Sequence, residues 1–109
     1  MRKIIKIKNK TGEFAENKDV AKDLRLGKIM PALLDGNKVV LDFEDVVGAT
    51  QSFIHALISG PIRELKNNAF DNLFYKNVND DVKEIISIVY RYMQESLDGS
   101  EDNSDRFIK

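Results

Sequence analysis

Three polar side chains in a row, Thr50, Gln51 and Ser52, stand between a short loop, Glu44 to Ala49, and a segment whose apolar residues recur with helical spacing: Phe53, Ile54, Leu57, Ile58, Ile62 and Leu65. Hydroxyls at a helix start have three uses. A side-chain oxygen accepts a hydrogen bond from an N–H of the first turn and caps the helix. The free N–H groups there hold an anion, which suits a small ligand such as a nucleotide. A serine or threonine also accepts a phosphoryl group, which adds about two negative charges where the helix dipole tolerates them. Capping and phosphorylation are not exclusive. Thr50 and Ser52 are the candidates for both.

Ahead of the loop, the run Val39 to Phe43 has the length and β-branched content of a strand buried on both faces, and Asp42 interrupts it. An ionised carboxylate in a sheet is costly unless it is hydrogen-bonded. The expected role of Asp42 is structural, near the strand's end and accepting bonds from loop amides. Direct contact with a partner or ligand is the other reading. His55 is the only histidine, it lies inside the helical segment, and the chain has no cysteine. One imidazole without a second ligand of its kind makes a poor metal site. Without a nucleophile beside it, it is also a poor base. The glycines are too far apart to form a phosphate loop. The expectation is a protein that is not an enzyme and uses no cofactor and no metal.

The flanking elements must position this stretch. Residues 2–8 alternate in part, with Lys3, Ile5 and Ile7 on one parity and Ile4, Lys6 and Lys8 on the other. That reads as a half-exposed strand near a sheet edge. Its basic residues form a solvated face, or an arm for nucleic acid or an acidic partner. Residues 9–18 are a turn region in which Phe14 and Ala15 make a short strand or dock on the core. Asp19 is placed to cap a helix carrying Val20, Leu24, Leu26, Ile29, Met30, Leu33 and Leu34. Pro31 presses on the carbonyl four residues earlier, so a kink is expected at Gly27. Gly36 suits a left-handed helix ending. In the helix from Gln51 to Leu65, Gly60-Pro61 predicts a kink or a break. A further strand is expected over Asn72 to Val78. The last helix has Asn79, Asp80 and Asp81 at its start, with Glu84 at capping-box spacing from Asp81. Its stripe is Val82, Ile85, Ile86, Val89 and Met93, widened by Ile88 and Tyr92 for core or for a partner. Strands alternating with helices predict an α/β fold with helices packed on a mostly parallel or mixed sheet of about four strands. An antiparallel first strand is left open.

The 109 residues make one domain, 1–96, and an acidic, serine-rich stretch, 97–109, that reads as a flexible tail. A net charge of -1 favours neither nucleic acid nor anionic lipid as a partner. No apolar segment reaches the length of a signal-peptide core or a membrane helix. With no cysteine, a reducing cytoplasm is the expected location.

The segment VVLDFEDV, followed by SFIHAL, resembles the STAS family, the sulfate transporter and anti-sigma-factor antagonist domains. Its pattern is a "vvlDls" strand, a loop and a D-S-S-G-L-like helix start. The LDF and TQSF elements are more similar to the bacterial STAS-like family of unknown function. The resemblance spans roughly Ala21 to Ser96. It implies a STAS-like fold. It also implies a regulatory protein–protein interaction module like the anti-sigma-factor antagonists, which are switched by phosphorylation of a serine at this helix start. The partner it implies resembles a histidine-kinase-like ATPase or an anti-sigma factor. Ser52 matches the second serine of the family pattern. The usual phosphoserine position falls on Gln51, the preceding aspartate on Thr50, and Phe53 replaces the glycine. The implied contact surface is Val46, Val47, Gly48, Thr50, Gln51, Ser52, Phe53 and His55, with Val46, Val47 and Phe53 as its apolar anchors. The alternative is a nucleotide-binding domain using the same helix N-terminus. Homodimerisation through the first strand or the last helix is left open.

Overall fold

The apolar run after Lys38 becomes the central strand of a parallel sheet because it can satisfy its backbone on both sides and bury side chains on both faces. The computed structural model describes residues 2–96 and 107–108. In chain order the elements are β1 (Arg2–Lys6), α1 (Lys8–Thr11), β2 (Phe14–Ala15), α2 (Lys18–Leu24), a π-helical turn (Arg25–Ile29), α3 (Met30–Leu34), β3 (Lys38–Asp42), β4 (Gly48–Ala49), α4 (Gln51–Leu65), α5 (Asn67–Asn72), β5 (Leu73–Lys76), α6 (Asp80–Ser96) and β6 (Phe107–Ile108). Four strands form one sheet in the order β1-β3-β5-β6, and β2 pairs with β4 in a separate two-residue ribbon. Every pairing is parallel. The first strand is therefore parallel to its neighbour. Lys6, Asp42 and Lys76 stand level across three strands, so the carboxyl ends open onto one rim.

The core lies on one face of the sheet. Val39, Leu41, Leu73 and Tyr75 meet Leu33 of α3, Phe53, Ile54, Leu57, Ile58 and Ile62 of α4, and Val82, Ile86, Val89, Tyr90 and Met93 of α6. Each large apolar side chain buried there contributes roughly 1.5–3 kcal/mol. Tyr75 and Tyr90 meet edge to face with ring centroids 5.9 Å apart, and their hydroxyls lie 2.6 Å apart, which keeps both polar ends hydrogen-bonded inside the core. On the opposite face Ile4, Val40 and Phe74 share one row.

The two prolines act differently from the sequence expectation. Ahead of Pro31 the helix does not simply kink. It widens into the π-helical turn, where the N–H of Met30 reaches the carbonyl of Arg25 five residues back. Pro31 then occupies the first turn of α3, where its missing N–H costs nothing. At Pro61 α4 runs through unbroken. A proline in a helix interior costs about 3 kcal/mol. Leu57, Ile58 and Ile62 on either side of it are all fully buried, and their combined burial exceeds that cost. The guanidinium of Arg25 also donates to the Ala56 carbonyl at 3.2 Å, within the turn that Pro61 weakens.

Two caps also move. Asn17, not Asp19, caps α2, its side chain accepting from the N–H groups of Asp19 and Val20. Asn79 caps α6 by accepting from the N–H of Val82 at 2.8 Å, so Asp81 and Glu84 form no capping box. Gly36 takes the expected left-handed conformation at φ 83 after α3. At the other end of the chain, residues 97–106 of the expected tail lie outside the described residues. Phe107 and Ile108 pair with Tyr75 and Lys76 of β5.

Candidate functional site

The rim at the carboxyl ends of the strands is where parallel sheets collect binding groups, because side chains there leave the sheet and loops supply free amides. Asp42 ends β3 on this rim. Its Oδ1 accepts from the N–H of Glu44 at 2.9 Å and from the side-chain amide of Asn77 at 3.0 Å. Asn77 follows β5 and adopts the left-handed conformation, φ 57, which asparagine tolerates better than most residues. Its amide also donates to Glu44. A buried carboxylate is thus held by one loop N–H and one side-chain amide.

The loop after β3 turns through Asp45, φ 64, and is secured at both flanks. The Val46 N–H donates to the Phe43 carbonyl at 3.0 Å, and the Val47 N–H donates to the Glu13 carbonyl at 2.7 Å. Asn79 closes it from the other side: its side-chain amide donates to the carbonyls of Val46 and Val47 at 3.3 and 3.0 Å. One asparagine therefore both caps α6 and anchors the loop. The β4 strand then pairs with β2, with Gly48 beside Phe14. A Cβ at residue 48 would stand 2.6 Å from Cε2 of Phe14, so glycine lets the ring close over the strand.

Thr50 is the N-cap of α4. Its Oγ1 accepts from the N–H of Phe53 at 3.0 Å, and its own N–H donates to the Ala15 carbonyl at 3.0 Å. Gln51, Ser52 and His55 are exposed on the first turns. With Lys18 at the start of α2 and with Ala56 they line an open recess of about 450 Å³. The recess carries one fixed cation, one hydroxyl, one amide and one imidazole, and little enclosure.

The surface expected from the sequence is brought together only in part. Val47 is 58% exposed and Gly48 beside it is half-buried, while Gln51, Ser52 and His55 are exposed on α4 and line the recess. Val46, at 3% exposed, and Phe53, at 0%, belong to the core and cannot anchor a partner. Phe53 points inward because it shares the helical stripe of Leu57 and Ile58. Val46 points inward because Asn79 and Phe43 fix the backbone around it. The second exposed apolar group is instead Phe14, 50% exposed, on the ribbon beside Gly48. Sequence reasoning also missed Lys18, Asn77 and the loop-holding role of Asn79. Only Asn79 carried a signal, as one of several cap candidates before α6.

A family model described as a STAS-like domain of unknown function matches residues 20–83. The chain belongs to that family. Neither the search of curated proteins nor that of solved structures returned a match. In this STAS-like domain the matched stretch runs from α2 into the start of α6. It takes in Asp42, the loop, the head of α4, Asn77 and Asn79. Phe14 and Lys18 lie just outside it. Among the described residues no helix is long and apolar enough to cross a membrane.

Proposed function

We propose that this STAS-like domain is a regulatory protein–protein interaction module. Its docking surface is the ridge made by Phe14, Val47 and the exposed first turns of α4, and Ser52 is its phosphorylation site. The observation that supports this reading is the pairing of two half-exposed apolar side chains on a backbone held rigid by Asn79 and the β2–β4 ribbon. An interface needs apolar anchors with a polar rim, and Gln51, Ser52 and His55 supply the rim. Ser52 is favoured over Thr50 because it is exposed, whereas the Thr50 hydroxyl already caps the helix. A phosphate on Ser52 would sit in the first turn of α4 with Lys18 across the recess. The fold tolerates the charge there, while a docked apolar surface is repelled. The partner would be an ATPase with the histidine-kinase-like fold, transferring the γ-phosphoryl group of ATP to Ser52 with ADP as the leaving product. The open recess encloses too little of a nucleotide to favour the ligand-binding alternative.

The test is affinity capture from the native cell lysate with the wild-type chain, Val47→Asp and Ser52→Asp, with and without ATP, followed by mass spectrometry of bait and partners. The expected result is an ATPase captured by the wild type and lost by both variants, with phosphate on Ser52 when ATP is present. Capture that is indifferent to Val47→Asp would reject the surface. A partner captured with no phosphate on Ser52 would reject the switch and keep the module.

A further inference from the structure

Among the described strands, β1 has main-chain groups on one side with no neighbour. It ends the order β1-β3-β5-β6 and packs principally against β3. The N–H of Ile7 donates to the Asp42 carbonyl, and in a parallel pair the residues that bond inward alternate. Lys3, Ile5 and Ile7 therefore bond toward β3, and the N–H and C=O groups of Arg2, Ile4 and Lys6 point outward. All five residues of β1 except Ile5 are exposed. Ile4, 48% exposed, is the outermost member of the Ile4–Val40–Phe74 row. The exposed charges on and beside the strand are Arg2, Lys3, Lys6 and Lys38, in a chain whose net charge is -1; the one carboxylate level with them on β3, Asp42 opposite Lys6, is buried.

We propose that the β1 edge is a docking site for an extended acidic peptide segment of another protein, which adds a fifth strand to the sheet. The main-chain groups of Arg2, Ile4 and Lys6 would supply the affinity and the side chains the selectivity. On the outer face the incoming strand places acids opposite Arg2 and Lys6 and an apolar residue opposite Ile4. On the inner face it places an acid opposite Lys3 and an apolar residue opposite Ile5. A second copy of this chain is the wrong occupant. Paired antiparallel about Ile4, two β1 strands set Arg2 against Lys6 at both ends; paired parallel, their outward groups bond only with a one-residue offset, which sets Arg2 against Lys3, and like charges placed opposite destabilise a sheet. Lysines guard the edge against self-association. The same lysines select a partner of opposite charge. This surface lies on the sheet edge, separate from the ridge at Val47, so it stands or falls independently of the proposed regulatory role.

The probes are the capped pentapeptides Glu-Glu-Val-Val-Glu, for parallel addition, and Glu-Val-Val-Glu-Glu, for antiparallel addition. Each is titrated to millimolar concentration into the full, isotopically labelled chain while backbone amide shifts are recorded. The expected result is saturable shifts at Arg2–Lys6 and along β3 with one of the two, weakening as salt is raised. Ile4→Pro removes the outward N–H and leaves the β1–β3 bonds intact, as edge strands allow. It should weaken binding by about tenfold, the size of effect expected from one lost bond together with the steric block of the proline ring. Should Ile4→Pro fail to fold, the Lys3→Glu/Lys6→Glu double variant keeps the backbone and should abolish binding of the acidic peptides. No shifts with either peptide, equal binding of Lys-Lys-Val-Val-Lys, or an affinity unchanged by Ile4→Pro in a folded protein would overturn the proposal. Tighter binding of a short oligothymidylate to the same residues would overturn it in favour of a nucleic-acid strip.

Discussion

Asn79 uses both ends of one amide, and the two ends can be separated. Its oxygen accepts from Val82 and caps α6, while its nitrogen donates to Val46 and Val47. Asn79→Asp keeps the acceptor, and a carboxylate is favourable at a helix N-terminus, but it puts negative charge against two carbonyl oxygens. Asn79→Ala removes both functions. The alanine variant should lose about 1–2 kcal/mol of stability in urea unfolding, the size of a lost cap. The aspartate variant should lose less stability, yet release the Val46–Val47 loop, seen as faster amide exchange at Val47. Equal stability loss in both would mean the loop contacts dominate and the cap contributes little. Thr50 offers a second test at this scale. Thr50→Ala should lose about 1 kcal/mol through the bond to Phe53, and Ser52→Ala should change stability by less than about 0.5 kcal/mol because Ser52 is an exposed surface residue. A large loss in Ser52→Ala would place its hydroxyl in the fold rather than at the surface.

Helix α4 shows what a sequence makes readable and what it hides. Its length, its capping start and its apolar stripe follow from three- and four-residue spacing, and β3 and α6 are legible for the same kind of reason: long segments with one clear period. The four residues of α1, the two-residue strands β2 and β4, and the six residues of α5 are too short to carry a period. The two short strands exist because each accepts or donates the other's backbone bonds, as Glu13 and Ala15 accept from Val47, Gly48 and Thr50. The site was legible to the same extent. Asp42 and the head of α4 stand out in the sequence. Phe14 and Ala15 read as a short strand in the sequence and form β2, but the pairing with β4 that sets Phe14 beside Gly48 leaves no local trace. Phe53 was misread as surface although its spacing from Leu57 already placed it on the buried stripe. The two positions therefore predict opposite outcomes. Phe53→Ala should lose about 3–5 kcal/mol by opening a core cavity. Val47→Asp, at an exposed position, should stay within about 0.5 kcal/mol of the wild type. If Val47→Asp melts the domain, the ridge is part of the core and the docking surface must lie elsewhere.

The sheet has two unlike edges, and the far one depends on residues that composition assigns to a tail. Phe107 and Ile108 extend the sheet past β5. The Phe107 ring lies 5.5 Å from the Tyr75 ring, centroid to centroid, and the Lys83 ammonium stands 5.0 Å from its centre. An acidic stretch is disfavoured in a core, but a short apolar pair after it can still dock, because two main-chain pairings and one aromatic contact do not need a long hydrophobic run. Phe107 is only partly buried. Phe107→Ala should therefore lose less than a fully buried aromatic, about 1–2 kcal/mol through the lost ring packing and cation–π contact. For a domain of this size each kcal/mol lowers the melting temperature by roughly 4–8 °C. Scanning calorimetry of the full chain and of this variant measures the difference directly. A drop of that size, with Tyr75 amide exchange quickened, makes β6 a working strand that covers β5, and leaves β1 and the two-residue β6 as the edges of the described sheet. An unchanged melting temperature would mean that β6 contributes nothing to stability. Strand β5, whose one lysine is Lys76, would then be open to edge pairing, and the protein would self-associate as its concentration is raised.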